Sequence, residues 1–552
     1  MSVVERGEPK TVVSLPRCQT GMTGVDDIFG GGLPRGRPIL VAGDTGAGKT
    51  IFCLQTLVNG AVQFGEAGLY LSFEEREADL RAAVEMFAWG GVPADLHFHD
   101  ALVGHRFEAD GDFDLLGLIG ILDHLCEKWA IRRLVLDGID QLLGGSDRPQ
   151  HVRREISRLL DWIRERDRTC LITAKATARA GQFSDAYEHL LFQVDGVVVL
   201  EQELLHRTVQ RTLRVIKLRG SAHGDNAYPL VITEQGIAAL YLPPQRPKGE
   251  SLVATTARVS TGVGDLDKML VGGLIAGTTT LVTGSPGTAK TTLAGGFLAA
   301  ACARGERSLF VLFDEYPERV VSNLRSIGLD LQTFVDNGLL RMEHRVSSTA
   351  GPDSHVAAIR AWIAEHDPAC VAIDPLSALL KGRTDDSAAP SIEHLVQSMR
   401  ARNTTAMLTS LIEQEGREAS EAHVSTVADT WVHLDYGIRR GERNRTLTIV
   451  KARGIGHSNQ VREMLLSERG VMLADVYPVE GGMLVGSARI GQERADSMQR
   501  RAVAAASEIE AQQVANKRLA LLDDIAVLQE QLRRLEPGSA SAPASPVSGE
   551  RT

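Results

Sequence analysis

The sequence predicts an α/β chain: two tandem copies of one domain, each a mostly parallel sheet flanked by helices, and then a C-terminal helical extension. Three observations lead there. First, short words recur at constant spacing: Thr20-Gly21 as Thr261-Gly262, Gly31-Gly32-Leu33 as Gly272-Gly273-Leu274, and Gly36 as Gly277. A repeat this long is a duplicated domain, not a solenoid unit. Second, near-continuous Val/Leu/Ile runs alternate with amphipathic stretches, as buried parallel strands and their crossover helices do. Third, no proline or glycine occurs after Gly491 up to Glu536, and Leu521, Ile525, Leu528, Leu532 and Leu535 fall at alternating four and three spacing. That is a coiled-coil seam.

These signals divide the chain. Residues 1–13 are read as a flexible N-terminus, 14–246 as the first domain and 247–488 as the second. Residues 489–536 are the C-terminal helix and 537–552 a Ser/Ala/Pro-rich disordered tail. The stiff polar run Pro243-Pro244-Gln245-Arg246-Pro247-Lys248-Gly249 marks the boundary between the copies. In each copy an apolar strand, Pro38 to Ala42 or Thr279 to Thr283, runs straight into a glycine-rich loop. The strand Gly68 to Phe73 follows a helix predicted over Ile51 to Val62.

Composition narrows the function classes. The 552 residues are 43% hydrophobic and 24% charged, which suits a globular chain. A net charge of −10 argues against a protein whose main task is coating nucleic acid, and only 5% of residues are aromatic. The six cysteines are far apart with no Cys-x-x-Cys pair, which suits buried thiols rather than a disulfide frame or a zinc site. No signal segment or membrane-length apolar run is present, so a cytoplasmic protein is expected.

The loops carry the chemistry. Gly43-Asp44-Thr45-Gly46-Ala47-Gly48-Lys49-Thr50 satisfies the full phosphate-loop pattern. Its glycines let successive backbone N–H groups turn toward phosphate oxygens, Lys49 reaches the β- and γ-phosphates, and the Thr50 hydroxyl binds Mg²⁺. The second copy reads Gly284-Ser285-Pro286-Gly287-Thr288-Ala289-Lys290-Thr291, with Thr291 as the metal hydroxyl. It departs from the pattern at Ala289, which crowds the phosphate if that position needs a positive φ. Asp137 and Asp374 end apolar strands. A lone strand-end aspartate is usually a turn residue, but behind a phosphate loop it is where a Mg²⁺-associated carboxylate belongs.

Two further pairs repeat. Glu74-Glu75 follows a strand end, and Asp314-Glu315 stands there in the second copy. In RecA-like ATPases a carboxylate at this strand end orients the attacking water, so these four residues are the catalytic candidates. Lys217 and Arg219 sit two apart on a strand and project to one face, as do Lys451 and Arg453. Two cations ahead of a glycine suit capture of a neighbouring subunit's γ-phosphate.

At these residues the chain resembles the KaiC family, circadian-clock ATPases of the RecA superfamily. The resemblance runs from about Leu15 to Glu480. It is carried by the Thr-Gly…Gly-Gly-Leu words before each loop, Phe73-Glu74-Glu75, Lys217-Leu218-Arg219-Gly220-Ser221-Ala222-His223, and Asp374-Pro375-Leu376-Ser377-Ala378-Leu379. It implies two RecA-like P-loop domains in a homohexameric double ring, with ATP and Mg²⁺ at every subunit interface. By motif position Lys217, Leu218, Arg219 and His223 reach the neighbour's nucleotide in the first ring, and Lys451, Arg453 and His457 do so in the second. The segment Glu421 to Asp429 looks like the family's autophosphorylation segment, which makes Ser425 and Thr426 the phosphoacceptors. Glu421 stands where the family has an aspartate, and Ser420 where it has a threonine. In the first copy the aligned stretch is His189 to Asp195, with both hydroxyls replaced by apolar residues. Ala289, Asp314 and Ala428 depart from the family pattern and bear on kinase rate and phosphorylation order. The tail resembles a branch whose extended C-terminal helices join two hexamers into a dodecamer, and the family further implies a KaiB-like partner on the first ring.

The resemblance implies an ATP-hydrolysing, self-assembling autokinase that works as a clock-like or signalling switch. Two other classes compete with it. A DNA-dependent RecA relative needs basic pore loops, for which Arg179-Ala180-Gly181 and Lys381-Gly382-Arg383 are the nearest stretches. An assembly scaffold that only binds ATP has no use for the Glu74/Glu75 carboxylates or the trans cations.

Overall fold

A computed structural model of the chain describes residues 16–101, 115–143, 149–175, 190–205, 208–241, 257–380, 389–412, 427–439, 442–468, 470–479 and 482–535. The first-lobe strands are β1 (Pro38–Gly43), β2 (Gly68–Ser72), β3 (Leu96–Asp100), β4 (Arg133–Asp137), β5 (Thr169–Lys175), β6 (Gly196–Leu205), β7 (Thr208–Leu218), β8 (Ala227–Thr233) and β9 (Gly236–Ala239). The second lobe has β10 (Thr279–Gly284), β11 (Ser308–Leu312), β12 (Leu340–His344), β13 (Cys370–Asp374), β14 (Thr405–Leu411), β15 (Thr430–Arg439), β16 (Glu442–Ala452), β17 (Arg462–Ser467) and β18 (Gly470–Asp475).

The first nine-stranded sheet runs β9-β8-β7-β6-β1-β5-β4-β2-β3. The second runs β18-β17-β16-β15-β10-β14-β13-β11-β12, the same order position by position. In the first, β6, β1, β5, β4, β2 and β3 are parallel, and β7, β8 and β9 add to the edge antiparallel. The two copies are tandem RecA-like domains, as the repeat words predict.

The strands are continuously apolar because both faces are covered. Ile39 and Val41 belong to one buried cluster, and Leu40 and Ala42 to the other. Tyr70 and Val135 face the first side, while Leu69, Leu71, Leu134 and Leu136 face the second. This is period-two alternation with no polar side. The second lobe repeats it: Phe310 and Ala372 lie in one cluster, and Leu309, Val311, Val371 and Ile373 in the other. All six cysteines are buried and unbridged.

The central strand of each lobe ends in its glycine-rich loop, and a helix follows at once, Lys49–Phe64 in the first lobe and Lys290–Ala303 in the second. The first helix begins two residues before the predicted Ile51, because its cap, Gly48, lies inside the loop. The C-terminal helix Gly486–Leu535 has 50 residues and is about 75 Å long. Near its start Arg489 pairs with buried Glu463 at 3.0 Å, and the Tyr477 hydroxyl donates to Asp496. Further along, Leu521, Ile525, Leu528 and Leu532 are all exposed. Among the described residues no helix is long and apolar enough to cross a membrane.

The N-terminal segment, the Pro243 to Gly249 linker, the two Arg/Lys stretches considered for DNA, the tail, and Ser420, Glu421, Ser425 and Thr426 lie outside the described residues.

Candidate functional site

Each lobe builds a phosphate cradle at the C-terminal end of its central strand, where open parallel sheets bind ligands. Lys49 Nζ donates to the carbonyls of Gly43 (2.7 Å) and Asp44 (3.0 Å). Lys290 Nζ does the same to Gly284 (2.7 Å) and Ser285 (2.9 Å). The lysine thus arches back over its own loop, and the following helix presents its free N–H groups and positive dipole end beside it. Gly46, Ala47 and Thr45 form the loop's outer turn. Gln202 on β6 donates to Thr45 O (2.9 Å) and Arg211 on β7 to Gly46 O (3.3 Å), braces that no sequence motif announces. In the second loop, Ser285 closes the turn by accepting from Thr288, while Pro286 and Gly287 stand at its tip.

The cap positions differ. Gly48 has φ 104°, and Ala289 in the same place has φ 76°. The position does demand a positive φ, so Ala289 carries left-handed strain of roughly 1 kcal/mol that Gly48 avoids. The loop still closes on Lys290.

The strand-end aspartates are each held by threonine hydroxyls. Thr173 Oγ1 donates to Asp137 Oδ1 at 2.5 Å. In the second lobe Thr291 Oγ1 donates to Asp374 Oδ2 at 2.6 Å, and Thr409 donates to the other oxygen. Burial raises both carboxyls above the usual carboxylate range, against the pull of these hydroxyls. A hydroxyl and a carboxylate held together form a hard oxygen set of the kind that suits Mg²⁺. Thr50 takes the corresponding place in the first helix, on the turn after Gly48.

The adjacent carboxylates of the first lobe are set apart by their surroundings. Glu74 Oε1 accepts from Lys175 Nζ (2.7 Å) and Gln141 Nε2 (3.2 Å). Burial works against its charge, but these two donors win and hold the carboxyl below its usual range. Glu75 is pushed up, first by burial and then by Asp137 and Glu74. The Ser72 hydroxyl accepts both backbone N–H groups, at 3.2 and 2.8 Å, which fixes the turn. In the second lobe Glu315 accepts from Asn323 at 3.4 Å, and Asp314 contributes to raising Asp374.

The paired cations lie at the other end of each sheet. Lys217 pairs with Val197, which pairs with Leu40, three residues before Gly43. Arg219 N donates to Asp195 O and Asp195 N to Pro38 O, at the start of β1. Along the strand, Gly43 is five residues or roughly 17 Å from Pro38 and three residues or roughly 10 Å from Leu40, beyond the reach of either side chain to its own loop. Arg453 repeats this through Asp429 to Thr279. Lys217 and Arg219 share a face, since both donate to Phe192 O, at 3.2 and 3.1 Å. Leu218 between them is 4% exposed and packs in the core, so only its backbone is available. Lys451 donates to Ala428 O at 2.8 Å. His223 and His457 occupy matching loops: Gly224 N donates to Ile28 O, and Ser458 N to Met269 O.

The acids beneath these cations, Asp195 buried and Asp429 partly buried, escaped the sequence reading. Arg164 pairs with Asp195 and Arg400 with Asp429, both at 3.0 Å. The recurrence of each acid 24 residues before its arginine, Arg219 or Arg453, was the available signal.

Comparison with known proteins agrees with this geometry. The family model described as "ATPase: KaiC" matches residues 18–242 and again 259–476. The chain is 36% identical over 493 residues to the circadian clock protein KaiC2 of Synechocystis sp., covering 87% of this chain and 85% of that one. It is 32% identical over 471 residues to the circadian clock oscillator protein KaiC of Synechococcus elongatus, covering 84% and 90%. Against the KaiC of Parathermosynechococcus lividus the identity is 32% over 479 residues, covering 86% and 88%. With two ATP-binding P-loop lobes of one topology and matches that span both, the chain belongs to the KaiC family of ATPases.

Proposed function

We propose that both lobes hydrolyse ATP in a homohexameric ring, each site being completed by the neighbouring subunit, and that the second lobe also phosphorylates Ser425 and Thr426. The observation that carries this reading is the separation of cradle and cations within one lobe. Lys217 and Arg219 lie at the far end of the sheet from Lys49, so they serve a nucleotide held by another copy. Lys217, Arg219 and His223 then stabilise the charge that develops on the γ-phosphate, as do Lys451, Arg453 and His457 in the second ring.

Thr50 with Asp137, and Thr291 with Asp374, would hold Mg²⁺, which offsets the charge of the β- and γ-phosphates. In hydrolysis Glu75 takes the proton of the attacking water while Glu74 orients it. The new bond forms between the water oxygen and the γ-phosphorus, the bond to the β-phosphate oxygen breaks, and ADP leaves. In the second lobe a Ser425 or Thr426 hydroxyl replaces water, and Asp314 or Glu315 of the adjoining site receives its proton. The counterparts of these hydroxyls, Leu191 and Phe192, lend their carbonyls to Lys217.

The exposed seam of helix Gly486–Leu535 supports self-association, and with it a dodecamer of two rings. We further propose a cytoplasmic clock-like or signalling switch that engages a KaiB-like protein on the first ring. Incubation with ATP and Mg²⁺, then peptide mass analysis, is expected to find phosphate on residue 425 or 426. Phosphate only elsewhere refutes the kinase assignment. Particle mass with ATP, with and without residues 491–552, tests the ring and the tail together.

A further inference from the structure

Lys175 ends β5, the strand that pairs with the cradle strand, and its partner there is Gly43, the first residue of the loop. Its backbone N–H donates to Asp140 at 2.8 Å, which pins the strand end. Its side chain crosses to Glu74 at 2.7 Å. Gln141, one residue past Asp140, supplies the second donor to the same oxygen. Glu74 also lies flat on Gly138: a Cβ there would come within 2.6 Å of its Cγ. Two donors and one missing side chain thus set the direction of one carboxylate.

The second lobe keeps the pin at the strand end, where the Leu411 N–H donates to the Ser377 hydroxyl at 3.2 Å, but replaces the side chains that clamp the carboxylate. Leu411 pairs with Gly284 as Lys175 pairs with Gly43. Counting from the matched aspartates, Ala378 stands for Gln141 and Pro375 for Gly138. Leu312 stands for Ser72, and Asp314, one methylene shorter, for Glu74. Leucine and alanine have no side-chain donor to offer. Five positions on three strand ends differ together, which points to one function kept in one lobe.

A stabilising surface pair is the plainer account of Lys175 and Glu74. It explains little, because Lys175 is 51% exposed and such pairs are screened. It also leaves the joint loss of Gln141, Gly138 and Ser72 in the other copy without a reason.

We infer that Lys175 is a positioning residue of the first lobe's hydrolytic site, which with Gln141 fixes the Glu74 carboxylate beside the phosphate cradle. The inference rests on the proposed role of Glu74 in hydrolysis. Orientation of this kind acts on the chemical step and not on nucleotide capture. The second lobe, without it, leaves its strand-end acids to serve a protein hydroxyl.

The test uses the full chain carrying Lys290→Ala, so that turnover reports the first lobe. Lys175→Leu is expected to lower kcat about tenfold while KM for ATP stays within about twofold. Lys175→Arg recovers most of the rate, and Gln141→Ala gives a smaller loss of the same kind. Lys175→Leu has little further effect once Glu74→Gln is present, because the two act as a unit. A raised KM with unchanged kcat, failure of the arginine to rescue, or losses that multiply in the double variant overturns the inference. If Glu74→Gln slows turnover but Lys175→Leu does not, only this inference falls. If Glu74→Gln leaves turnover unchanged, the proposed role of Glu74 falls and takes the inference with it.

Discussion

The two lobes share every strand neighbour and the lysine that folds back over each loop, yet they part company at the side chains of the loop and strand ends. In the repeat Gly48 corresponds to Ala289, Glu74 to Asp314, Lys175 to Leu411, and Leu191 and Phe192 to Ser425 and Thr426. Scaffold and cradle are fixed by packing that involves many residues at once. Strand-end side chains touch few neighbours, so they diverge at little cost in stability. Duplication therefore gives one sheet twice and two sets of chemistry.

The largest expected effect separates the lobes outright. Lys49→Ala and Lys290→Ala each remove the cation of one cradle, and hydrolysis by that lobe should fall by at least about a hundredfold. Phosphate release from the single variants checks this. If one variant silences both lobes, the sites do not work as separate centres.

Next come the first lobe's two carboxylates. Glu75, raised by burial, is suited to accept a proton, while Glu74, held ionised by Lys175 and Gln141, is suited to orient. Glu75→Gln should cost roughly a hundredfold in first-lobe turnover, and Glu74→Gln roughly ten- to thirtyfold. The pH sign follows from Glu75. A base with a raised pKa carries its charge only above that pKa, so turnover falls as the solution is acidified through it. A pH–rate profile whose acid limb survives Glu75→Gln would reverse the two roles.

The smallest effect concerns the caps. Ala289→Gly relieves left-handed strain but adds chain entropy in the unfolded state. The balance is about 0.5–1 kcal/mol in favour of the second lobe. Gly48→Ala should cost about 1–2 kcal/mol, since its Cβ would also meet Ile232 at 3.1 Å. Thermal unfolding of the two variants gives both signs in one experiment.

Much of the site is local and was legible. Each phosphate loop, the strand before it and the helix after it form one continuous stretch, and their chemistry is written in adjacent residues. The cation pairs were legible too, because two residues apart on a strand means one face. Their distance from their own loop was not. That depends on register through β6 and β1, which pairs residues more than 150 positions apart. The Lys175–Glu74 pair spans 101 residues, and the Gln202 and Arg211 braces span 157 and 165. No local pattern records such meetings.

By itself, then, the sequence determined the duplicated α/β architecture, the two cradles and the pairing of cations. Those follow from hydrophobic period, glycine placement and spacing along the chain, all of which are properties of neighbours. Only the tertiary structure decided which carboxylate is clamped, which cap is strained, and that each lobe's cations lie far from its own phosphate loop. Strand order and register set these distances, and they are fixed by how the whole sheet packs.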